Sequence, residues 1–280
     1  MKNLILCFIL LIGIPVFAHC NRSSCSHVYV VRSDVSQEER IFANCKKHYL
    51  KTETTTNYYS NGTKRVFNNH TIMNSDGSIV AQGFSNVKHV IKDDKHYFLV
   101  RKGKVYKILN DTGIDLTQRQ YTYMEEISPE KLLVKSDKKY GIIDLNEKII
   151  VPIKYKKFVR NGTDLYLTEL NDFYGLLDSS NNVIIKNEYD KIKRVYDIFI
   201  LKQYNKFGLA DINGKIIIPA QVDSIKKLGE YIIVKNNKKY GVYSNDGKAL
   251  SPIIYKKIRL ERNKLEGTIN GKVWVEISNI

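Results

Sequence analysis

The residues best suited to covalent or metal chemistry lie near the N-terminus of this 280-residue chain. Cys20, Cys25 and Cys45 remain once an export signal that contains Cys7 is set aside. Three cysteines in an exported chain indicate one thiol with a separate role. Cys20 follows the apolar N-terminal run, where a bacterial lipoprotein carries its lipid, so we expect it to be a candidate lipidation site. Lipidation there would leave Cys25 and Cys45 to form a disulfide.

A zinc site is the alternative for the same region. Its candidate ligands are Cys20, Cys25, His27, Cys45 and His48. They lack the paired short cysteine spacings of structural zinc motifs, and outside the cytosol a disulfide is the more common use of cysteine. We therefore predict no metal ion and no cofactor.

The later part of the chain offers little for catalysis. No histidine follows position 96 and no cysteine follows position 45, so a Ser-His-Asp or Cys-His site cannot be built there. Asp144, Asp178 and Asp211 recur just before turns, where a short carboxylate typically accepts hydrogen bonds from its own backbone. We predict that the protein is not an enzyme and has no catalytic residues. An extracellular hydrolase using two carboxylates is the alternative.

Lysines give the main functional indication. Lys plus Arg number 45 and Asp plus Glu 29, a net charge of +16. Lysine doublets recur at matching positions, namely Lys138, Lys139, Lys156, Lys157, Lys238, Lys239, Lys256 and Lys257. In a stack of repeats they would form a basic stripe for an acidic glycan, an envelope polymer or an acidic protein. Alternatively, they prevent exposed strand edges from pairing with other chains.

The segment 1–18 has the pattern of a secretory signal peptide. Lys2 precedes the apolar run 4–14, and Pro15 and Ala18 follow it. That run is too short to span a bilayer. We expect a secreted or envelope protein, extracellular or periplasmic, that meets the membrane only through a lipid on Cys20. Export also disfavours nucleic acid as a partner.

Internal repetition is the strongest pattern in the sequence. Four aromatic-glycine pairs recur at nearly constant spacing: Tyr140-Gly141, Tyr174-Gly175, Phe207-Gly208 and Tyr240-Gly241. Fourteen positions after each glycine come Tyr155, Tyr189, Val222 and Tyr255, and three further on Phe158, Ile192, Ile225 and Ile258. Degraded copies surround Lys107 and Thr71, and a truncated copy surrounds Val275. Repeats of about 34 residues need neighbouring copies to complete their hydrophobic core.

Each copy is expected to be β-structure. Runs rich in Ile, Val and Tyr alternate with turns such as 245–247 and 212–214, and sustained helical periodicity is lacking. The predicted unit has a strand, a strand with the aromatic-glycine pair, a strand ending at proline, and a fourth strand with the Tyr-x-x-Ile positions. We expect each glycine to leave bare backbone against which a ring from a neighbouring copy packs.

This pattern resembles the WG repeat, a family named for a Trp-Gly pair and common in bacterial proteins. Tyr or Phe replaces the tryptophan in all four clear copies. The resemblance implies a binding or scaffold module and carries no catalytic residues.

We therefore predict a signal peptide over 1–18, an N-terminal cap over 19–67 and a β-repeat domain over 68–280. In the cap, a strand at 28–31, a short helix within 36–50 and a hairpin turning at Asn61-Gly62 are expected. The fold class is all-β, an open solenoid-like stack of repeats of about 34 residues, with a β-propeller as alternative. The leading function is a binding scaffold for a protein or acidic polymer. A passive structural component of a secretion system is a further alternative.

Overall fold

A computed structural model describes residues 28, 30–43, 45–262 and 264–277. The predicted signal peptide, Cys20, Cys25 and His27 lie outside these residues, so the predicted cleavage, lipidation and disulfide remain predictions. The described chain divides into two compact units. The first runs to Asp137 and includes Ile143–Lys148, and the second comprises Lys138–Ile142 and the residues from Ile149 onward.

The first unit is made of antiparallel strands. Its strands are β1 Val30–Ile41, β2 His48–Tyr59, β3 Lys64–Asn74, β4 Ile79–Phe84, β5 Asn86–Lys92, β6 Lys95–Lys102, β7 Val105–Asn110, β8 Tyr123–Ser128 and β9 Lys131–Ser136. Strands β1 to β4 form one sheet in sequence order, and β5 to β7 form another. Strands β8 and β9 pair as a hairpin.

The second unit continues the same pattern. Its strands are β10 Lys139–Ile143, β11 Ile149–Tyr155, β12 Lys157–Arg160, β13 Tyr166–Leu170, β14 Phe173–Leu177, β15 Val183–Tyr189, β16 Lys191–Val195, β17 Ile198–Gln203, β18 Lys206–Asp211, β19 Ile216–Val222, β20 Ser224–Leu228, β21 Tyr231–Asn236, β22 Lys239–Tyr243, β23 Ala249–Tyr255, β24 Lys257–Glu261, β25 Lys264–Thr268 and β26 Val275–Glu276. The sheets β12–β15, β16–β19, β20–β23 and β24–β26 each follow sequence order. The all-β, tandem-repeat fold is thereby confirmed.

The predicted division of the repeat into strands is partly wrong. Pro219 and Pro252 lie within β19 and β23, which continue to Val222 and Tyr255. A proline is tolerated there because these are the outermost strands of their sheets and need no hydrogen bond on the far side. The Tyr position therefore ends the fourth strand, and the Ile position three residues later, as at Ile225, lies on the first strand of the next sheet.

Residues 36–50 form strand and connection, and the predicted helix is wrong. Strand β1 runs to Ile41 and pairs along its length with the threonine-rich strand β2. Cross-strand pairing with β-branched residues outweighs the helix propensity of Glu38 and Glu39. The hairpin at Asn61-Gly62 is confirmed, with Gly62 at a φ of 80°. The predicted boundary after residue 67 falls inside β3.

A turn with one residue at positive φ recurs through both units. It marks six copies, including the two degraded ones, at Gly77, Gly113, Glu147, Asn181, Gly214 and Gly247. In each, the residue three positions earlier accepts a backbone hydrogen bond from the positive-φ residue, as Asp211 does from Gly214. The copies predicted around Thr71 and Lys107 thus have turns with the same local geometry as the four clear copies.

The glycines of the aromatic-glycine pairs leave room for the backbone of the adjacent strand in their own sheet. A Cβ on Gly175 would lie 2.7 Å from the backbone nitrogen of Asn187 and 2.7 Å from the carbonyl oxygen of Ile185, both on β15. The register shifts there between Tyr174 and Leu176, which indicates a β-bulge in the outer strand opposite the glycine. At all four glycines the atoms nearest to such a Cβ belong to the adjacent strand of the same sheet, and the packing of a ring from a neighbouring copy stays a prediction. A ring does cover Gly267, where Tyr255 would clash with an added Cβ.

The core is shared between consecutive sheets, as the repeat pattern predicted. Leu176 and Tyr189 from one sheet pack with Phe199 and Leu201 of the next. Leu209 and Val222 pack in the same way with residues of β20 and β21. In the first unit Ile72 and Phe84 pack against Phe98. A single sheet could not bury these side chains alone.

Candidate functional site

The recurring aspartates hold their own turns, as predicted. Asp144 Oδ1 accepts hydrogen bonds of 2.8 Å from the backbone nitrogens of Asn146 and Lys148. Asp178 and Asp211 accept the equivalent pairs at 2.8 to 2.9 Å. Their oxygens are thus used to close the turn between the third and fourth strands of each repeat.

The lysines that were predicted to form a basic stripe lie at one end of their sheets. Lys138 and Lys238 are at hairpin tips with φ of 64°, and Lys139 and Lys239 begin the strands that follow. Tyr240 pairs with Tyr255, which places Lys239 and Lys256 next to each other at the same sheet end. We call Lys238, Lys239, Lys256 and Lys257 the lysine cluster. All four are exposed.

The equivalent positions of the preceding repeat show what this sheet end normally holds. There Lys206 and Asp223 replace Lys239 and Lys256, and Lys206 Nζ lies 2.7 Å from Asp223 Oδ1. The ion pair lowers the pKa of Asp223, first through the Lys206 hydrogen bond. In the lysine cluster the carboxylate of this pair is replaced by a second ammonium, and the described residues supply no ion pair to any of its four members.

The other four lysines of the predicted stripe, Lys138, Lys139, Lys156 and Lys157, form an earlier group whose charge is partly neutralised. Lys156 Nζ lies 3.0 Å from Glu169 and 2.8 Å from Asp172. These contacts raise the pKa of Lys156, chiefly through its hydrogen bond to Asp172. Lys157 lies 5.4 Å from the centre of the Tyr174 ring. The hairpin tips between the two lysine groups carry Asp172 and Asn205, so the doublets form two separate groups and not an uninterrupted stripe.

A second group of functional side chains lies in the first unit. Cys45 and His48 come from the connection before β2 and its first residue, and His89 and His96 come from β5 and β6. Cys45 Sγ lies 3.7 Å from His48 Nδ1 and 3.6 Å from His96 Nδ1. His89 Nε2 lies 2.8 Å from His96 Nδ1. We call these four residues the Cys-His cluster.

Burial keeps imidazoles of this cluster neutral. Desolvation lowers the pKa of His89 to about 4, with the nearby His96 and His48 rings adding to the effect. Desolvation also lowers the pKa of His48, opposed in part by a hydrogen bond to the backbone carbonyl of Asp111. At neutral pH both rings therefore have a ring nitrogen able to accept a proton or a metal ion.

The sequence indicated only half of the Cys-His cluster. Cys45 and His48 were candidate zinc ligands, but they are joined here by His89 and His96 and not by a second cysteine within the described residues. Cys45 is a buried free thiol in the described structure, while Cys25 lies outside it. In the β5–β6 hairpin, His89 pairs with Phe98 and His96 pairs with Ile91, so the two histidines are diagonal neighbours. Predicting a hairpin over 86–102 would have placed them together.

Consecutive antiparallel sheets with this turn and glycine pattern define a tandem β-repeat protein. Residues 140–162, 174–206 and 207–240 match the model of the WG containing repeat. The chain therefore carries WG repeats over this region, as the resemblance implied, with tyrosine or phenylalanine in place of tryptophan.

Other comparisons add little. No curated protein gave a significant match to the sequence. Among solved structures, the chain is similar to Hsv2p of Kluyveromyces lactis, with 9% identity, 74% of each chain covered and a TM-score of 0.29. It is also similar to the Pan2 WD40 domain of Neurospora crassa, with 11% identity, 86% of this chain and 88% of that chain covered, and a TM-score of 0.24. The described residues include no helix that could cross a bilayer.

Proposed function

We propose that this protein is an exported or envelope-anchored WG-repeat scaffold that binds an acidic polymer or an acidic protein surface through the lysine cluster. The proposal depends on one observation. Lys239 and Lys256 occupy positions that a lysine and an aspartate fill with an ion pair one repeat earlier. Two adjacent ammonium groups repel each other, so an anionic ligand is the natural counterpart of this sheet end.

The surroundings of the cluster favour a flexible, solvated contact. All four lysines are exposed, and their stems can follow a polymer without disturbing the core. The overall charge of +16 adds long-range attraction for an anionic partner. A repeated acid, such as a uronic acid chain, a phosphate-rich envelope polymer or an acidic protein segment, would match several lysines at once.

Binding to an anionic polysaccharide tests the proposal. We expect its affinity to fall as ionic strength rises, because exposed charges are screened by salt. Replacing all four cluster lysines by glutamine should weaken binding about tenfold, since each exposed contact contributes roughly 0.3–0.5 kcal/mol. The measurement is fluorescence anisotropy of a labelled polymer at several salt concentrations.

A matched variant separates the cluster from net charge. Lys186, Lys193, Lys215 and Lys226 are exposed lysines elsewhere in the second unit, and their replacement by glutamine makes the same charge change. We expect that variant to bind almost as the unmodified protein does. Equal losses in both variants, or binding that does not respond to salt, would refute the lysine cluster as the binding site.

Export is tested separately. We expect protein recovered from outside the cytoplasm to have lost the segment 1–18, or to begin at Cys20 with a diacylglycerol increment. Intact mass spectrometry distinguishes these two products. Recovery of the full-length chain from the cytoplasm alone would contradict export and leave the polymer-binding experiment unaffected.

A further inference from the structure

We propose that Cys45, His48, His89 and His96 form a structural Zn²⁺ site in the first unit. This site is independent of the lysine cluster. It consists of one thiol and three imidazoles, which are donors that Zn²⁺ binds in structural centres. The sulfur and the nearest nitrogens of His89 and His96 all lie within 4.8 Å of one another.

Two of the three donor distances in the cluster match a tetrahedral zinc ion, and the third is slightly too short. With Zn–S near 2.3 Å and Zn–N near 2.0–2.1 Å, tetrahedral geometry places sulfur and nitrogen ligands about 3.6 Å apart. Cys45 Sγ is 3.6 Å from His96 Nδ1 and 3.7 Å from His48 Nδ1. The hydrogen-bonded nitrogens of His89 and His96, 2.8 Å apart, would need to separate by only about 0.5 Å.

The surroundings orient and enclose the donors. His48 hydrogen-bonds the backbone carbonyl of Asp111, the kind of supporting contact that fixes the tautomer of a metal-binding histidine. Phe98 is fully buried and its ring centre lies 5.2 Å from those of both His48 and His89. The ring centre of Phe42 lies 4.8 Å from that of His89. An apolar wall of this kind limits solvent access to a metal.

Cys45, His89 and His96 already have donor atoms within 4.8 Å of one another, and His48, with Nδ1 3.7 Å from Cys45 Sγ, would turn toward them to complete the set. Four protein ligands would leave no open position, which is characteristic of a structural centre and not of a catalytic one. On binding, the thiol of Cys45 loses its proton to solvent and its sulfur bonds to the metal. The imidazoles bind as neutral ligands, and the proton shared between His89 and His96 moves to a nitrogen outside the site. The ion would then join the β1–β2 connection to the β5–β6 hairpin, so that two neighbouring sheets are held together.

Zinc and a disulfide compete for Cys45. A bond to Cys25 would remove the thiolate from the site, so the two hypotheses make opposite predictions about the same atom. A variant with Cys7, Cys20 and Cys25 all replaced by serine leaves Cys45 as the only thiol. We expect this variant to bind one Zn²⁺ per chain as the unmodified reduced protein does.

The experiment is a Zn²⁺ titration of the metal-free, reduced full chain in competition with a chromophoric chelator. We expect one equivalent to bind, and Co²⁺ to give the intense visible absorption of a tetrahedral site with a thiolate charge-transfer band. Cys45→Ser and His96→Asn should each weaken binding at least about a hundredfold, since losing even a supporting partner costs roughly 10–100-fold. His70→Gln, a histidine change outside the cluster, should bind normally.

Stability provides a second readout. Bound Zn²⁺ should raise the melting temperature of the unmodified protein and leave that of Cys45→Ser unchanged. The Co²⁺ spectrum of the unmodified chain tests the site even if a variant fails to fold. The proposal is overturned if reduced protein binds no stoichiometric metal, if Cys45→Ser binds as tightly, if Co²⁺ shows no thiolate band, or if Cys45 is recovered in a disulfide and the triple-serine variant takes up no zinc.

Discussion

The phenol of Tyr121 donates a 2.8 Å hydrogen bond to Oε1 of Glu147. Tyr121 is fully buried, and this burial together with the contact to Glu147 raises the pKa of its hydroxyl. The same carboxylate accepts hydrogen bonds from the backbone nitrogens of Gln118 at 2.6 Å and Arg119 at 3.0 Å. One turn residue therefore organises the loop between β7 and β8.

Replacing Glu147 by alanine should destabilise the first unit by about 1–3 kcal/mol, because a buried hydroxyl loses its partner. Glu147→Gln keeps an acceptor oxygen and the same backbone strain, so it should lose less than half as much. Urea denaturation followed by tyrosine fluorescence measures both. Equal stability of all three proteins would show that the Tyr121 contact contributes nothing.

The glycine at the aromatic-glycine position is required by close backbone approach. A Cβ on Gly208 would lie 2.7 Å from the carbonyl oxygen of Ile218 and 2.8 Å from the nitrogen of Ala220. Gly208→Ala should therefore destabilise by about 1–3 kcal/mol, the usual cost of overpacking. Thermal unfolding measures the change.

Gly162→Ala is the matched control, because its nearest neighbour is the far end of the Arg194 side chain, which can move. We expect it to change the unfolding free energy by less than about 0.5 kcal/mol. Equal melting temperatures for Gly208→Ala and Gly162→Ala would contradict the packing explanation.

The repeats could be predicted from the sequence because each copy fixes several positions at once. The aromatic-glycine pair, the turn and the Tyr-x-x-Ile positions recur with nearly constant spacing. A copy that departs from the pattern at one position can therefore still be recognised from the others. The reason for the glycine was not available in the sequence. It depends on the bulge opposite Tyr174, and a bulge is a property of strand pairing and not of local composition.

The Cys-His cluster could be predicted only in part for a similar reason. Cys45 and His48 are close neighbours in the sequence, but His89 and His96 come from a hairpin in a different sheet, much further along the chain. The mixture of charged and apolar residues over 36–50 predicts a short helix, whereas the pairing of β1 with β2 is a long-range contact that local composition does not show. Sequence patterns report local preference, whereas these features depend on which strands become neighbours.

Asp211 tests the turn interpretation of the recurring aspartates. Its Oδ1 accepts hydrogen bonds of 2.9 Å from Asn213 and 2.8 Å from Lys215. Asp211→Ala should lose about 0.5–1.5 kcal/mol, while Asp211→Asn should lose less than half of that, since an amide oxygen can accept the same bonds. Hydrogen exchange at the two amides gives a local measurement. Unchanged protection in Asp211→Ala would argue against this role.

The lowered pKa of His70 predicts how the unfolding free energy changes with pH. Its Nδ1 lies 2.9 Å from Thr52 Oγ1, and desolvation lowers its pKa. The folded protein therefore holds this ring neutral at pH values where the unfolded chain, with a pKa near 6.5, already protonates it. The stabilisation from His70 is complete above about pH 6.5 and is lost as the pH falls through the folded pKa.

The variant His70→Gln isolates this contribution. Histidines of the Cys-His cluster titrate in both proteins and cancel in the difference, provided that distant sites act independently. The unfolding free energy of the unmodified protein minus that of His70→Gln should thus be larger at pH 7.5 than at pH 5. Urea denaturation at both pH values, with metal removed, measures it. A difference that stays constant, or grows toward pH 5, would mean that burial does not hold His70 neutral.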